Sequence, residues 1–90
     1  MEKRTQPRLE WSRRNEAWFA VLSQDLFLTF TLWVWPNRIE VIDHRGNEVE
    51  EWLRETRGLT DNVDAMVFAE ERAVAVCNAM FWKLLEADNG

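Results

Sequence analysis

The chain has 90 residues, of which 47% are hydrophobic and 30% are charged, and it contains six tryptophans, no tyrosine and one cysteine. This composition is typical of one folded domain and excludes a disordered chain, while a single cysteine excludes an internal disulfide and a cysteine zinc site. The net charge of −5 disfavours general binding to nucleic-acid phosphates.

The sequence shows no targeting or membrane segment. Its apolar runs fall well short of the roughly 18 residues that a membrane-spanning helix needs. The N-terminal residues Met-Glu-Lys-Arg-Thr-Gln-Pro lack the apolar stretch of a signal peptide. Because the lone cysteine also agrees with a reducing compartment, we predict a cytoplasmic protein without a membrane partner.

Charge is distributed unevenly along the chain. Residues 1–14 hold five basic and two acidic side chains, whereas the rest of the chain holds six basic and fourteen acidic ones. We predict a flexible basic tail over residues 1–7 and a single α+β domain over residues 8–90, with Arg8, Arg13 and Arg14 as a basic arm. The acidic body favours a protein partner with a basic surface and disfavours nucleic acid.

Alternating apolar residues predict two strands in the first quarter of the chain. The first, from Arg8 to Arg13, is typical of a short edge strand whose outward row is charged. The second, from Glu16 to Ser23, is apolar in both rows and therefore internal, although its glutamate and alanines also allow a helix. Two polar residues, Gln24 and Asp25, predict a tight hairpin into the next strand.

The longest strand pattern, from Leu26 to Trp35, predicts the centre of the sheet. Its even positions are all apolar, as a strand that covers a core requires. Its odd positions are aromatic or β-branched and uncharged, although a solvent-facing row normally carries charges. The even row is Leu26, Leu28, Phe30, Leu32 and Val34, and the odd row is Phe27, Thr29, Thr31, Trp33 and Trp35.

The middle of the chain predicts one more strand and a short helix. Alternation from Arg38 to Asp43 indicates the fourth strand, and Gly46 supplies the turn that follows. Asn47 and Glu50 have the spacing of a capping box, so we predict a short helix there. It would end in a Schellman motif at Gly58.

A long amphipathic pattern follows, from about Asp61 to Ala87, with Thr60 or Asp61 as its cap. The predicted fold is therefore α+β: a meander of four antiparallel strands, then a short helix and a long C-terminal helix packed on one sheet face. A helix of this length would overhang the sheet or meet another subunit. Its predicted sheet-facing side carries Val63, Met66, Ala73, Val74, Cys77, Met80, Phe81 and Leu84.

The sequence offers few residues for catalysis or metal binding. Only His44 could act as a neutral-pH base, and Cys77 falls on the apolar side of the long helix, where a thiol is usually inert. The three glycines cannot form a phosphate-binding loop. The four glutamates between residues 48 and 55 are more typical of a solvated helix face than of a cation site. We therefore predict no enzyme activity, no cofactor and no metal.

Glu70 is an anomaly, because helical projection places it in the middle of the apolar stripe. A buried ionised carboxylate is costly unless it is paired or hydrogen-bonded. We expect this carboxylate to be hydrated beyond the sheet or bridged to Arg38 or Arg57. The alternative is a functional carboxylate.

The uncharged outer row of the sheet is the strongest candidate for a binding site. Joined by one row of the second strand and by the next strand, it would form an apolar patch larger than monomers usually expose. Aromatic residues are typical of the centre of a protein interface. The alternative is that the short helix folds over this row through Val49 and Trp52. The predicted partner-binding residues are Phe27, Thr29, Thr31, Trp33, Trp35 and Ile42.

These features favour a small acidic protein-interaction module that binds or inhibits a larger protein. By analogy at class level, it resembles the compact inhibitors that phages and mobile elements encode. Two other functions stay open. One is a homodimeric structural protein that pairs through the outer sheet face or the end of the long helix. The other is a single-stranded nucleic-acid binder, in which bases stack on Trp33, Trp35 or Trp11 and phosphates meet the basic arm.

Overall fold

The computed structural model describes the backbone of residues 5–25 and 28–89, and the side chains within these ranges up to Lys83. The fold is α+β: a five-stranded antiparallel sheet whose strands lie side by side in chain order, followed by one long helix packed against it. The elements are β1 (Ser12–Arg14), β2 (Ala17–Ser23), β3 (Thr29–Val34), β4 (Arg38–Ile42), β5 (Glu48–Leu53) and α1 (Asn62–Asn89).

The inner face of the sheet, which α1 covers, holds the core. Phe30, Leu32 and Val34 of β3 are buried there, as their alternation predicted, and Ile39 and Val41 of β4 join them. Because β3 lies between β2 and β4, these two strands shield the inner side chains of β3 from solvent on both sides. The predictions of β2 and β4 as strands are thereby confirmed, and the helical alternative for β2 is wrong.

The helix α1 begins after an aspartate cap, as predicted. One carboxylate oxygen of Asp61 accepts hydrogen bonds from the backbone N–H groups of Val63 at 2.8 Å and Asp64 at 3.3 Å. The helix is 28 residues long, and residues 81–83 are exposed, so its C-terminal part extends beyond the core. This is the overhang that the length predicted.

The sheet-facing side of α1 differs from the predicted one. Val74 is 48% exposed and Phe81 is 45% exposed, so their inward placement is wrong, while the side chain of Leu84 lies outside the described residues. Small side chains occupy most of the inward positions instead, and their size lets the helix backbone come close to the sheet. The buried helix residues are Ala65, Met66, Ala69, Ala73 and Cys77.

The predicted short helix is wrong, because the segment from Glu48 to Leu53 is strand β5. Glu50 turns towards α1, where its carboxylate accepts a hydrogen bond from Arg72 Nε at 2.7 Å and another from Trp52 Nε1 at 2.8 Å. Trp52 also meets Phe68 edge-on, with ring centroids 5.5 Å apart. These contacts with α1 outweigh the local capping-box signal.

A single tight turn follows β5 and ends in the Schellman motif that was predicted for a helix. Gly58 has a φ of +67°, and its N–H donates to the carbonyl of Glu55 at 3.2 Å. The Leu59 N–H donates to the carbonyl of Arg54 at 2.9 Å, which completes the motif. The Schellman motif was therefore predicted correctly at Gly58, although the element before this turn is a strand and not a helix.

Arg54 is buried beneath this turn, with only 5% of its surface exposed. Its guanidinium donates to the carbonyl oxygens of Leu59 and Trp35, both at 2.8 Å, and of Thr60 at 3.0 Å. Burial lowers the pKa of Arg54, and the nearby charge of Asp61 opposes that shift. One side chain thus ties the end of β3, the turn and the approach to α1 together.

Two features of the first half differ from prediction. Ser23 pairs with Thr29, so the tight hairpin at Gln24 and Asp25 is wrong, and β3 spans Thr29–Val34. Leu26, the predicted start of this strand, lies outside the described residues. Asp25 shapes the longer loop instead, because its carboxylate accepts a hydrogen bond from the Leu28 N–H at 2.9 Å. The strand predicted from Arg8 is confined to Ser12–Arg14.

Candidate functional site

The sheet face opposite α1, here called the outer face, brings most of the predicted partner-binding residues together. Cross-strand pairing places Phe19 beside Trp33 and Val21 beside Thr31. Phe27 lies outside the described residues. The predicted residues that share the outer face, all half-buried, are Thr29, Thr31, Trp33, Trp35 and Ile42.

Three aromatic rings form a continuous row on this face, here called the aromatic row. The centroids of Phe19 and Trp33 are 4.7 Å apart, and those of Trp33 and Trp35 are 5.7 Å apart with an angle of 14° between the rings. Arg14 lies 4.4 Å from the Phe19 centroid and Arg38 lies 4.9 Å from the Trp35 centroid. Each cation–π contact contributes about 0.5 to 1 kcal/mol and orders a long side chain. The result is a preorganised apolar platform with a cation at either end.

No element among the described residues covers this platform. The alternative of a short helix folded over it is wrong, because that segment is β5, and Trp52 of that strand points to α1 on the inner side. Val21 is 44% exposed and Leu53 is 55% exposed at the two sides of the platform. The indole N–H of Trp35 is buried, and it has no hydrogen-bond acceptor among the described residues.

Three glutamates, here called the acidic trio, lie beside the aromatic row: Glu40, Glu48 and Glu51. Their carboxylate oxygens lie within 4.8 Å of one another. Glu40 is paired across the strands with both Trp33 and Glu51, and its carboxylate also lies 3.5 Å from Arg38 Nε. The glutamates predicted to share one solvated helix face therefore lie on different sides of the sheet, since Glu50 turns inward. Acidic side chains this close could share a cation, but surface glutamates often cluster without one.

The trio perturbs the titration of one of its members. A hydrogen bond between the side chains of Glu48 and Glu40, loss of hydration and the charge of Glu51 raise the pKa of Glu48 from 4.5 to about 7. Glu48 is therefore protonated in part near neutral pH. A cation brought to the trio would favour its ionised form.

This shift predicts a pH dependence of stability. Between pH values of about 5 and 7 the folded protein holds more protons than the unfolded chain, so its free energy of unfolding falls as the pH rises through that window. Glu48→Gln removes the titrating group and is expected to flatten this fall. Urea midpoints of both proteins across the window measure the difference, with Glu55→Gln in the exposed turn as the control. Identical slopes for wild type and Glu48→Gln would contradict the expectation.

The predicted basic arm does not act as one surface. Arg14 lies on the outer face against Phe19, whereas Arg13 stacks on Trp18, 5.3 Å from its ring centroid, on the inner side. Arg8 lies beside α1, where its backbone N–H contacts Glu70. Of the predicted arm, only Arg14 lies beside the aromatic row.

Glu70 anchors the N-terminal segment to α1. Its carboxylate accepts hydrogen bonds from the backbone N–H of Arg8 at 2.9 and 3.0 Å and of Leu9 at 2.8 Å, and from Trp11 Nε1 at 2.9 Å. The expected bridge to Arg38 or Arg57 is wrong, because these arginines stack on Trp35 and Trp52. Its role as a functional carboxylate stays a prediction.

This anchor also places Trp11 away from the aromatic row, because its indole packs with the core and bonds to α1. The two residues weighed for catalysis lie in different surroundings. His44 is in the exposed turn between β4 and β5, whereas Cys77 is 2% exposed beneath the sheet. Burial raises the pKa of the Cys77 thiol, which disfavours the reactive thiolate.

Several contacts between residues of the outer face were not found by sequence reasoning. Arg14 and Arg38 were recognised as charged residues, but their cation–π contacts with Phe19 and Trp35 were not predicted. The proximity of Glu40 to Glu48 and Glu51 was not predicted either. These relations depend on which residues pair across strands, and the wrong helix at β5 also concealed the acidic trio. The alternation of Phe19 and its neighbours in β2 was the local signal that could have added Phe19 to the aromatic row.

Within the described residues, no helix combines the length and apolar character that a membrane span needs. Comparison of the chain with protein families, with curated proteins and with solved structures finds no match.

Proposed function

We propose that this protein is a small non-enzymatic interaction module whose outer sheet face binds a larger protein. The observation that carries the proposal is the uncovered aromatic row between Arg14 and Arg38. Aromatic and arginine side chains are enriched at the centres of protein interfaces. They also dominate binding energies where they have been truncated one at a time.

The rigidity of the row supports this function. Side chains that are already held in place lose little conformational freedom when a partner covers them, so more of the contact energy appears as affinity. Trp33 has this property, because rings on both sides hold it. We place it at the centre of the interface, with Val21 and Leu53 towards the rim.

The acidic body suggests the character of the partner. A protein with a net charge of −5 approaches a basic surface faster than an acidic one. An inhibitor of a larger, basic-surfaced protein fits this description, in line with the compact inhibitors of phages and mobile elements. We propose that it acts in the cytoplasm, where its free Cys77 would stay reduced.

Substitution of Trp33 tests the proposal. Trp33→Ala is expected to weaken the partner complex by about 2 kcal/mol, or roughly thirtyfold in Kd, because it removes the central ring. Partners are captured from extracts of the producing cells with wild-type and variant protein, and the affinity of the recovered partner is then measured by calorimetry. Trp82→Ala is the matched control, since Trp82 is 63% exposed on the overhanging helix and lies off the sheet.

Circular dichroism confirms that both variants fold before binding is compared. A partner retained by Trp33→Ala and lost by Trp82→Ala would move the binding site to α1. Sedimentation of the wild type alone separates the homodimer from the module. A dimer that Trp33→Ala dissociates would assign the outer face to a second copy.

A further inference from the structure

The strand β5 forms an open edge beside the outer face. It is the last strand in the sheet, and among the described residues only β4 pairs with it. The opposite edge, β1, is three residues long, whereas β5 is six. An edge strand presents backbone N–H and C=O groups that can pair with another chain. The longer edge is therefore the better template.

The direction of those backbone groups follows from one hydrogen bond. The N–H of Arg54 donates to the carbonyl of Asn37 at 3.0 Å, so the backbone groups of Arg54 point towards β4. Successive residues of a strand alternate in this direction. The backbone groups of Glu51 and Leu53 therefore point outward, to the open edge. The carbonyl of Leu53 accepts a hydrogen bond from Thr56 Oγ1 at 3.1 Å, so of its two backbone groups the N–H is the one that faces a new strand.

The side chains along this edge are acidic on the outer face. Glu48 and Glu51 are exposed and belong to the acidic trio, and Leu53 follows them as an apolar end. A second copy of β5 would bring glutamates beside glutamates, which is unfavourable for directly opposed residues. A basic strand would bring opposite charges together. The charges along this edge therefore disfavour pairing between two copies of β5 and favour pairing with a basic strand.

We propose that β5 is a docking edge for an extended basic segment of the partner protein, which adds a strand to the sheet and sets lysine or arginine side chains beside Glu48 and Glu51. This inference rests on the proposed function, since it names the chemistry of the same partner. The cross-strand row of Phe19, Trp33, Glu40 and Glu51 would gain a cationic member at its end. Backbone pairing supplies affinity in this mode, and alternate side chains supply specificity.

Two synthetic peptides test the edge directly. In one, arginine alternates with valine, and in the other glutamate replaces arginine. With isotope-labelled protein, the arginine peptide is expected to shift the amide signals of Glu51 and Leu53 and to slow their hydrogen exchange, while the glutamate peptide leaves them unchanged. Equal effects of both peptides, or unchanged exchange at saturating arginine peptide, would overturn the proposal.

Variants separate the backbone and charge contributions. Leu53→Pro removes an outward N–H without breaking the pairing with β4, so it is expected to abolish arginine-peptide binding. Leu53→Ala keeps that N–H and loses only the apolar side chain, so it is expected to bind the arginine peptide more tightly than Leu53→Pro does. The double change Glu48→Gln and Glu51→Gln is expected to weaken binding about tenfold at low salt. If Leu53→Pro fails to fold, the exchange data and the glutamine variant still decide the matter.

The captured partner distinguishes this inference from the function on which it rests. A partner lost by Trp33→Ala and retained by Leu53→Pro would leave the face as the binding site and overturn docking at the edge. A partner lost by Leu53→Pro and retained by Trp33→Ala would support the edge and overturn the central role of the aromatic row. Loss with both variants, together with a smaller loss for Leu53→Ala than for Leu53→Pro, would support both.

Discussion

Replacing Arg54 with methionine is expected to lower the free energy of unfolding by about 3 kcal/mol. The guanidinium donates to the carbonyls of Trp35, Leu59 and Thr60, and methionine leaves these groups without their donor. A buried polar group that loses its partner costs about 1 to 3 kcal/mol, and a hydrogen bond from a charged group lies at the upper end. Methionine fills much of the space of the arginine side chain, so the loss of stability reflects the missing hydrogen bonds more than lost packing.

Urea unfolding with a tryptophan fluorescence readout measures this loss. Arg54→Lys is expected to be intermediate, because an ammonium group cannot match the planar fork that reaches all three carbonyls. Arg45→Met, in the exposed turn between β4 and β5, is the control and is expected to change stability by less than about 0.5 kcal/mol. If Arg54→Met were as stable as the wild type, the three carbonyls would have found other donors and the expectation would be wrong.

Replacing Glu70 with alanine is expected to destabilise the fold by about 2 to 3 kcal/mol and to release the N-terminal segment. The carboxylate accepts from Arg8, Leu9 and Trp11, and two of these donors are partly buried. Hydrogen bonds to a charged acceptor contribute about 1.5 to 3 kcal/mol each, and water replaces part of that at the exposed Arg8. Faster hydrogen exchange at the amide of Leu9 would locate the effect.

Glu71→Ala is the matched control, because Glu71 is the next residue of the same helix and is exposed. Partner binding adds a second readout for the Glu70 variant. Full stability together with lost binding would identify Glu70 as a functional carboxylate. Lost stability together with retained binding would establish it as an anchor of the N-terminal segment.

The sequence was informative where one local rule decided the structure. Phe30, Leu32 and Val34 alternate because one sheet face is buried, and that pattern needs no knowledge of distant residues. The cap at Asp61 and the Schellman ending at Gly58 are similarly local. Alternation, cap and turn signals therefore predicted the fold class, three strands and the start of α1.

The errors arose where a distant residue decided the structure. Glu50 faces inward because Arg72 of α1 pairs with it, and a charged inner position hides the alternation of β5. Glu70 sits in an apolar stripe because the segment around Leu9 supplies donors to it. The candidate site was predicted as a row of β3. Its two arginine contacts depend on how β1 and β4 pair with their neighbours, and its acidic trio depends on that fifth strand.

The order of the strands has a consequence for how the chain folds. Each strand pairs with its neighbour in sequence, so the sheet can grow by closing short loops, which favours rapid folding. The contact between Arg8 and Glu70 joins residues 62 positions apart, so its closure costs more chain entropy than the pairing of neighbouring strands. We therefore expect it to close late, after the transition state. A chain without this contact should fold at nearly the normal rate and unfold faster, so that Glu70 sets the lifetime of the folded protein more than the speed of its formation.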